Sequence, residues 1–356
     1  MRPIERTGLR IAATVLPRLR GRSAPCGMRL LLVALAAIVA VAITALGWPG
    51  SAVAASHDFN GDHKSDILWF RSVGGEVAIW FMNGTSAAGG GSPGSVPSVS
   101  SWQIVGQRDF NRDGNSDILW RDGVTGQLAI WFLNGSTVIG GGSPGSASNN
   151  WAIVGTGDFN GDGYGDILWH NNTLVQTVIW FMNGTTVLPT SGSLSSPPSE
   201  WSVAGTGDFN GDGMADIVWW NIDTGQAVIW FMNGTSVIGG GSPGSAPLEF
   251  RIVGTGDFNG DGRSDILWYN SNTGQLVIWL LNGASVIGGG SPGSAPIFYT
   301  VVLTGDFNGD GMSDVLWQNT SNGQLVIWLL NGASVIAGGS PGSVAFPWLP
   351  QGMNAD

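Results

Sequence analysis

The sequence predicts an all-β protein, a β-propeller of six four-stranded blades, on three observations. A nine-residue acidic loop recurs six times, beginning at Asp58, Asp109, Asp158, Asp208, Asp257 and Asp306, at spacings of 49 to 51 residues. A period near 50 residues marks a repeat architecture. A complete repeat carries four short β-prone runs with turn residues between them, the pattern of one propeller blade. After residue 54 there is no helical periodicity. Six repeats set the expected blade number at six, with seven the alternative.

The stretch from Phe250 to Gly293 gives the elements of one blade in order. Phe-Arg-Ile-Val-Gly is a first strand, and the acidic loop Asp257-Phe-Asn-Gly-Asp-Gly-Arg-Ser-Asp265 follows. Asp-Ile-Leu-Trp-Tyr is the second strand, ended by the turn cluster Asn270–Gly274. Gln-Leu-Val-Ile-Trp-Leu-Leu is the third, with apolar residues on both faces (Leu276, Ile278 and Leu280; Val277 and Trp279). A half-exposed strand would alternate apolar with polar, so this one needs cover on both sides, as a blade between neighbours does. Asn282-Gly283 is a hairpin turn expected to hold positive φ at both residues. Ala-Ser-Val-Ile is the fourth strand, and Gly288–Gly293 is read as a loop.

The two ends differ from the middle. The first repeat lacks a leading strand, and the chain finishes with Phe346–Gly352. Trp348 falls where Trp102, Trp151, Trp201, Phe250 and Tyr299 sit in the other repeats. The expectation is that this tail completes the first blade and closes the ring, although Pro350 removes a ladder donor.

Residues 1–54 read as a secretory signal peptide. Seven of the 14 basic residues lie in the first 29, an 18-residue apolar run spans 30–47, and Ala52-Val53-Ala54 resembles a cleavage site. Met28 is an alternative start. Left uncleaved, the run is long enough for a borderline membrane anchor, with the basic residues inside and the repeats outside. Either way the expected location is secreted or cell-surface, and the propeller domain is expected over 55–356. Cys26, the single cysteine, lies in this leader, so the repeats contain no disulfide.

After residue 54 the chain has 24 acidic and seven basic residues, net −17, and 18 of the acids are the aspartates of the six loops. That balance excludes a phosphate-neutralising surface, so nucleic acid is not an expected partner. Side-chain oxygens at loop positions 1, 3, 5 and 9, with glycine mostly at 4 and 6, are what a hard cation that wants six to eight oxygens would need. An EF-hand is excluded, because its position 12 requires glutamate and here it is tryptophan in all six loops (Trp69, Trp120, Trp169, Trp219, Trp268, Trp317).

The loop followed by Asp-Ile-Leu-Trp and preceded by Ile-Val-Gly-Thr-Gly resembles the FG-GAP or VCBS repeat family, which includes the integrin-α propeller and secreted propeller lectins. The resemblance covers residues 58–353. It implies up to six Ca2+ ions, held by side chains at positions 1, 3, 5 and 9 and the carbonyl at 7. Those side chains are Asp58, Asn60, Asp62 and Asp66; Asp109, Asn111, Asp113 and Asp117; and Asp158, Asn160, Asp162 and Asp166. The later loops offer Asp208, Asn210, Asp212 and Asp216; Asp257, Asn259, Asp261 and Asp265; and Asp306, Asn308, Asp310 and Asp314. Two loops depart from the pattern, with His63 at position 6 of the first and Arg112 at position 4 of the second; weaker binding is expected in both.

No catalytic residues are assigned. Gly-x-Ser-x-Gly occurs around Ser92, Ser143, Ser242, Ser291 and Ser340, but proline follows each serine and cannot supply the N–H an oxyanion hole needs there. His57, His63 and His170 form no cluster with a serine and an acid in the sequence, and His170 is expected at the surface. Asn83, Asn134, Asn183 and Asn233 lie in sequons, yet Asn282-Gly-Ala and Asn331-Gly-Ala keep the turn without the sequon. Of the 18 tryptophans, 17 follow residue 54, and each repeat has one after Ile-Leu, Ile-Val or Val-Leu and one in Ile-Trp. Inter-blade packing accounts for most of them. Trp220 occupies a position that varies among repeats (Phe70, Arg121, His170, Tyr269, Gln318), and is expected to meet solvent or ligand. Together these features predict a secreted, non-catalytic binding or adhesion module. Its expected ligand is carbohydrate or a cell-surface protein; the alternatives are a scaffold and, third, a propeller hydrolase or lyase.

Overall fold

A computed structural model describes residues 57–97, 101–171 and 173–352; the expectations for residues 1–54 lie outside these. The described residues form six antiparallel four-stranded sheets, their second and third strands rich in β-branched, aromatic and other apolar residues. In the fourth blade the strands are Trp201–Gly207, Asp216–Asn221, Gln226–Asn233 and Ser236–Ser245, paired in that order. The first strands of successive blades pack beside one another, so they surround the propeller axis and the fourth strands form its rim.

The tail does complete the first blade. Trp348–Gln351 pairs antiparallel with the second strand of that blade, Leu68 opposite Gln351 and Arg71 opposite Trp348. Pro350 faces Trp69 and is tolerated because this innermost strand has a partner on one edge only. The Gln107 side-chain amide then donates to the Gln351 carbonyl at 2.8 Å, joining the second blade to the first. At the axis the packing is close: a Cβ on Gly155 or Gly254 would lie 2.7 or 2.6 Å from the Cγ2 of Thr206 or Thr304 in the next blade. The hydroxyls of Thr206, Thr255 and Thr304 each donate to the threonine carbonyl of the preceding blade, Thr156, Thr206 and Thr255, at 2.7 to 3.0 Å.

Between blades lie six aromatic clusters. The tryptophan at loop position 12 is fully buried and meets the Ile-Trp residue of the next strand with ring centroids 4.9 to 5.2 Å apart, as in Trp268 with Trp279. Trp219 and Trp220 fall in different clusters, on opposite sides of one blade, as strand alternation requires.

The structure corrects four expectations. The varying position is not solvent-facing: Phe70, His170, Trp220, Tyr269 and Gln318 are all buried. It is a wedge between blades, and at two of them it also caps the neighbour: Arg121 donates to the Trp151 carbonyl and Tyr269 to the Tyr299 carbonyl. His170 is likewise buried, with its Nδ1 2.9 Å from Thr177 Oγ1. In the Asn-Gly hairpins only the glycine has positive φ, 59° to 64°, and the asparagine pairs with the residue three on, as Asn282 with Ser285. The turn is therefore Gly283-Ala284 with glycine first, the φ pattern of a II′ turn rather than I′. Finally, the glycine-rich segment is strand in three blades, running as Ser86–Ser95, Ser236–Ser245 and Ser285–Ser294. Glycine fits there because Gly240 holds φ 131° opposite Trp230. The third blade departs from the rest, its outer part broken into Met182–Asn183, Thr186–Val187 and Gly192–Leu194.

Candidate metal centres

Five of the acidic loops join the first strand of their blade to the second, and the loop beginning at Asp58 leads into the second strand of the blade that Trp348–Gln351 completes. In the fifth loop, Asp257 Oδ1 accepts from the Gly260 N–H at 2.6 Å and Oδ2 from the Gly262 N–H at 2.7 Å. Asn259 Oδ1 accepts from the Asp261 N–H at 2.9 Å, and Asp261 Oδ1 from the Arg263 N–H at 3.0 Å. Side chains at positions 1, 3 and 5 thus fold the backbone around themselves, as Asx turns do. Positions 4 and 6 take positive φ in every loop, and the two departures comply at a cost in strain: Arg112 has φ 62° and His63 φ 63°.

Position 9 is different. Asp66, Asp117, Asp166, Asp216, Asp265 and Asp314 have no exposed surface. One oxygen of each accepts the position-2 N–H of its own loop at 2.9 to 3.1 Å. The other accepts the N–H of Met82, Leu133, Met182, Met232, Leu281 or Leu330 in the third strand, at 2.7 to 3.0 Å. Burial pushes these carboxyls up to about 7 (Asp66, Asp216, Asp265) or about 8 (Asp117, Asp166, Asp314). The backbone donors pull the other way, and the like charges at positions 1 and 5 add to the rise.

The loops are also joined to one another. The position-8 N–H of each loop donates to the position-1 carbonyl of the loop before it: Ser116 to Asp58, Gly165 to Asp109, Ala215 to Asp158, Ser264 to Asp208, Ser313 to Asp257 and Ser65 to Asp306, at 2.6 to 2.7 Å. The position-2 carbonyl of each accepts from the hairpin glycine of the next blade, from Gly135 on Phe59 round to Gly84 on Phe307, at 2.7 to 3.1 Å. The sequence gives no sign of these bonds, because both partners are main-chain groups.

All 24 side chains assigned from the sequence therefore lie in six equivalent loops that form one ring at one end of the propeller. The donors are hard oxygens, four per loop with a backbone carbonyl available, so their chemistry fits calcium. Each carboxylate oxygen that accepts one N–H retains a further lone pair. Among the described residues, no three or more His, Cys, Asp or Glu side chains are gathered into a ready-made cage.

Elsewhere, the hydroxyls of Ser92, Ser143, Ser242 and Ser340 donate to the carbonyls of Val77, Leu128, Ala227 and Leu325 at 2.6 to 2.7 Å, which holds each Gly-Ser-Pro-Gly segment against the third strand of its blade. On the rim of the second blade an open groove of about 550 Å³ is lined by Ala129–Trp131 and Val138–Gly142. Val138 and Ile139 are exposed there, and Trp131 is half-buried.

A family model described as FG-GAP-like repeat matches residues 58–120, 109–169, 208–268 and 257–317, more than half of the chain. No curated protein matches. Among solved structures, the chain is similar to one from the nidogen/laminin complex, at 13% identity and a TM-score of 0.46, over 77% of this chain and 93% of that one. It is similar to the Cps50 (Swd1) β-propeller domain of Myceliophteria thermophila, at 13% identity and 0.42, over 80% and 87%. It is also similar to the dihydro-heme d1 dehydrogenase NirN, at 13% and 0.41, over 77% of this chain but 53% of that one, about half its length.

Proposed function

The chain belongs to the FG-GAP-like repeat family, and from that premise we propose that it is a secreted, calcium-stabilised binding module that catalyses nothing and engages carbohydrate. At the coarse level its six-bladed propeller is a binding or interaction module. The observation that carries the calcium reading is the buried aspartate at position 9 of all six loops, whose neighbouring charges are two more aspartates. Keeping a carboxylate ionised where burial has raised its pKa by some three units costs about 4 kcal/mol. A bound cation removes that cost, and when bound it supplies only charge compensation and cross-linking. Asp257, Asn259, Asp261 and Asp265, with their counterparts in the other five loops, would hold it.

Carbohydrate is favoured as the ligand by the rim groove. Trp131 lines the groove half-buried, an aromatic side chain against which a sugar ring would stack, and the glycines at 140–142 bring backbone to the same groove for hydroxyl groups to bond. Weak sites of this kind gain from multivalency on a glycan surface.

Thermal unfolding of the full-length chain in calcium and in excess EDTA, with bound ions counted by native mass spectrometry, tests the first half of the reading. A large calcium-dependent rise with four to six ions is the expected result; no shift and no ion would reduce the loops to turns. A glycan array in calcium tests the second half. Retention that free sugar competes away and that Trp131→Ala weakens supports the carbohydrate reading. A silent array together with capture of one defined protein would replace it with the scaffold reading.

A further inference from the structure

We propose that the six acidic loops form one coupled ring, in which an ion bound at one loop strengthens binding at the loops on either side. This rests on the calcium reading above, and the inter-blade bonds carry it.

The two ends of every loop are tied to different neighbours. Position 1 of the fourth loop, Asp208, is a ligand candidate whose carbonyl is held by the Ser264 N–H of the fifth loop at 2.7 Å. Ser264 is chain neighbour to Asp265, the buried position-9 candidate of that fifth loop. At its other end, the Ala215 N–H beside Asp216 holds the carbonyl of Asp158, position 1 of the third loop, at 2.7 Å. Closing one loop on an ion therefore fixes backbone that the next loop must also fix. The second ion pays less ordering entropy than the first, which is positive coupling without a change of shape.

A side-chain layer repeats the same neighbour order. The position-7 side chain of each loop lies over the position-4 residue of the loop before it: Met214 over Gly161, Arg263 over Gly211, Met312 over Gly260, Lys64 over Gly309 and Asn115 against Gly61. At the remaining junction Arg112 stands 6.0 Å from the Tyr164 ring centroid. Six junctions of one kind leave no end to the ring.

Asp212→Ala tests this in the full-length chain. Asp212 is exposed, and its carboxylate bonds only within its own loop, to the Met214 N–H and the Asn210 amide; the variant weakens the fourth loop and leaves every inter-loop bond in place. Circular dichroism in EDTA checks that it folds as the wild type does. Calcium alone is then titrated against both proteins, counting ions by native mass spectrometry and following hydrogen exchange at Ser264 and Ala215. At a calcium concentration that just fills the wild type, the variant should lose more than one ion. Its remaining ions should bind about tenfold more weakly, within the usual range of site-to-site coupling, and the two amides should exchange faster. Loss of one ion with wild-type affinity for the rest overturns the coupling and leaves the calcium reading intact. A wild type that binds no calcium overturns both, and that result is read before the variant is made.

Discussion

The Ser65 N–H donates to the Asp306 carbonyl at 2.6 Å, joining the first acidic loop to the last across 241 residues of sequence. The same bond recurs at the five other junctions, so the chain closes twice. At the axis Trp348–Gln351 completes the first blade; at the loop end Ser65 and Asp306 complete a ring of backbone bonds. The second closure uses only main-chain groups, so it depends on each loop holding its shape rather than on residue identity at position 8, which is Ser, Gly or Ala. Position 9 holds that shape, because one aspartate there ties its loop to the third strand.

Asp265→Ala is expected to lower stability by about 2–4 kcal/mol in EDTA, because it strips the acceptor from two buried N–H groups, those of Phe258 and Leu281. The exposed Asp261, which bonds within its loop, should cost under about 1 kcal/mol when changed to alanine under the same conditions. Urea unfolding of the two variants beside the wild type checks the ranking. Equal losses would mean that burial of the position-9 carboxylate is not what organises the loop.

The metal-free protein should become less stable as pH rises. The six position-9 carboxyls titrate at about 7 to 8 when folded and near 3.9 when unfolded. Between those values the folded state binds more protons, so stability is lost on going up toward pH 8. Melting in EDTA should therefore be higher at pH 5.5 than at pH 8.5. Calcium needs the ionised carboxylates, so the calcium-induced rise should be larger at pH 8.5. A melting temperature in EDTA that climbs with pH through this window would contradict the burial cause.

Much of this was legible in the sequence. The 49- to 51-residue period, the apolar third strand and the displaced Trp348 were sufficient for a six-bladed ring with the first blade closed by the tail, and the six loops were found residue by residue. Side-chain exposure was harder to read. Trp220 and His170 looked variable, hence exposed, but variability there reflects wedges of different chemistry filling the same gap between blades, from Phe70 against Trp120 to Arg121 against Trp169. The hairpin turn was misplaced by one residue because Asn-Gly fits two turn types, and only the Asn282–Ser285 register decides between them. Main-chain bonds between loops leave no mark in residue identity at all.

His63→Gly should stabilise the first loop by about 0.5–1 kcal/mol. His63 holds φ 63° at position 6, where its Cβ is penalised by about 1–2 kcal/mol, and glycine returns part of that gain as unfolded-state entropy. Its N–H bond to Asp58 Oδ2, 2.8 Å, survives the change. Chemical denaturation in EDTA reads the difference directly, and calcium affinity of the first loop should rise rather than fall. A destabilised variant would place the value of His63 in its ring rather than its backbone.

Two glycines separate backbone strain from collision. Gly262, at loop position 6, has φ 80° and open space where a Cβ would go; Gly274, in the turn after the second strand, has φ 73° and would drive a Cβ into the Ala295 carbonyl. Gly262→Ala should then cost only the left-handed penalty, about 1–2 kcal/mol. Gly274→Ala carries the same penalty and must also push away the segment whose Ala295 N–H bonds the Gly274 carbonyl at 3.0 Å, for a total of about 3 kcal/mol or more. Because Gly274 lies away from the acidic loops, its variant should keep a full complement of calcium while melting lower. Gly262→Ala should lose affinity at the fifth loop, where the Gly262 N–H holds Asp257 Oδ2 at 2.7 Å. Paired melts and ion counts on these two variants would therefore dissociate stability from binding; parallel losses of both in both variants would refute the separation.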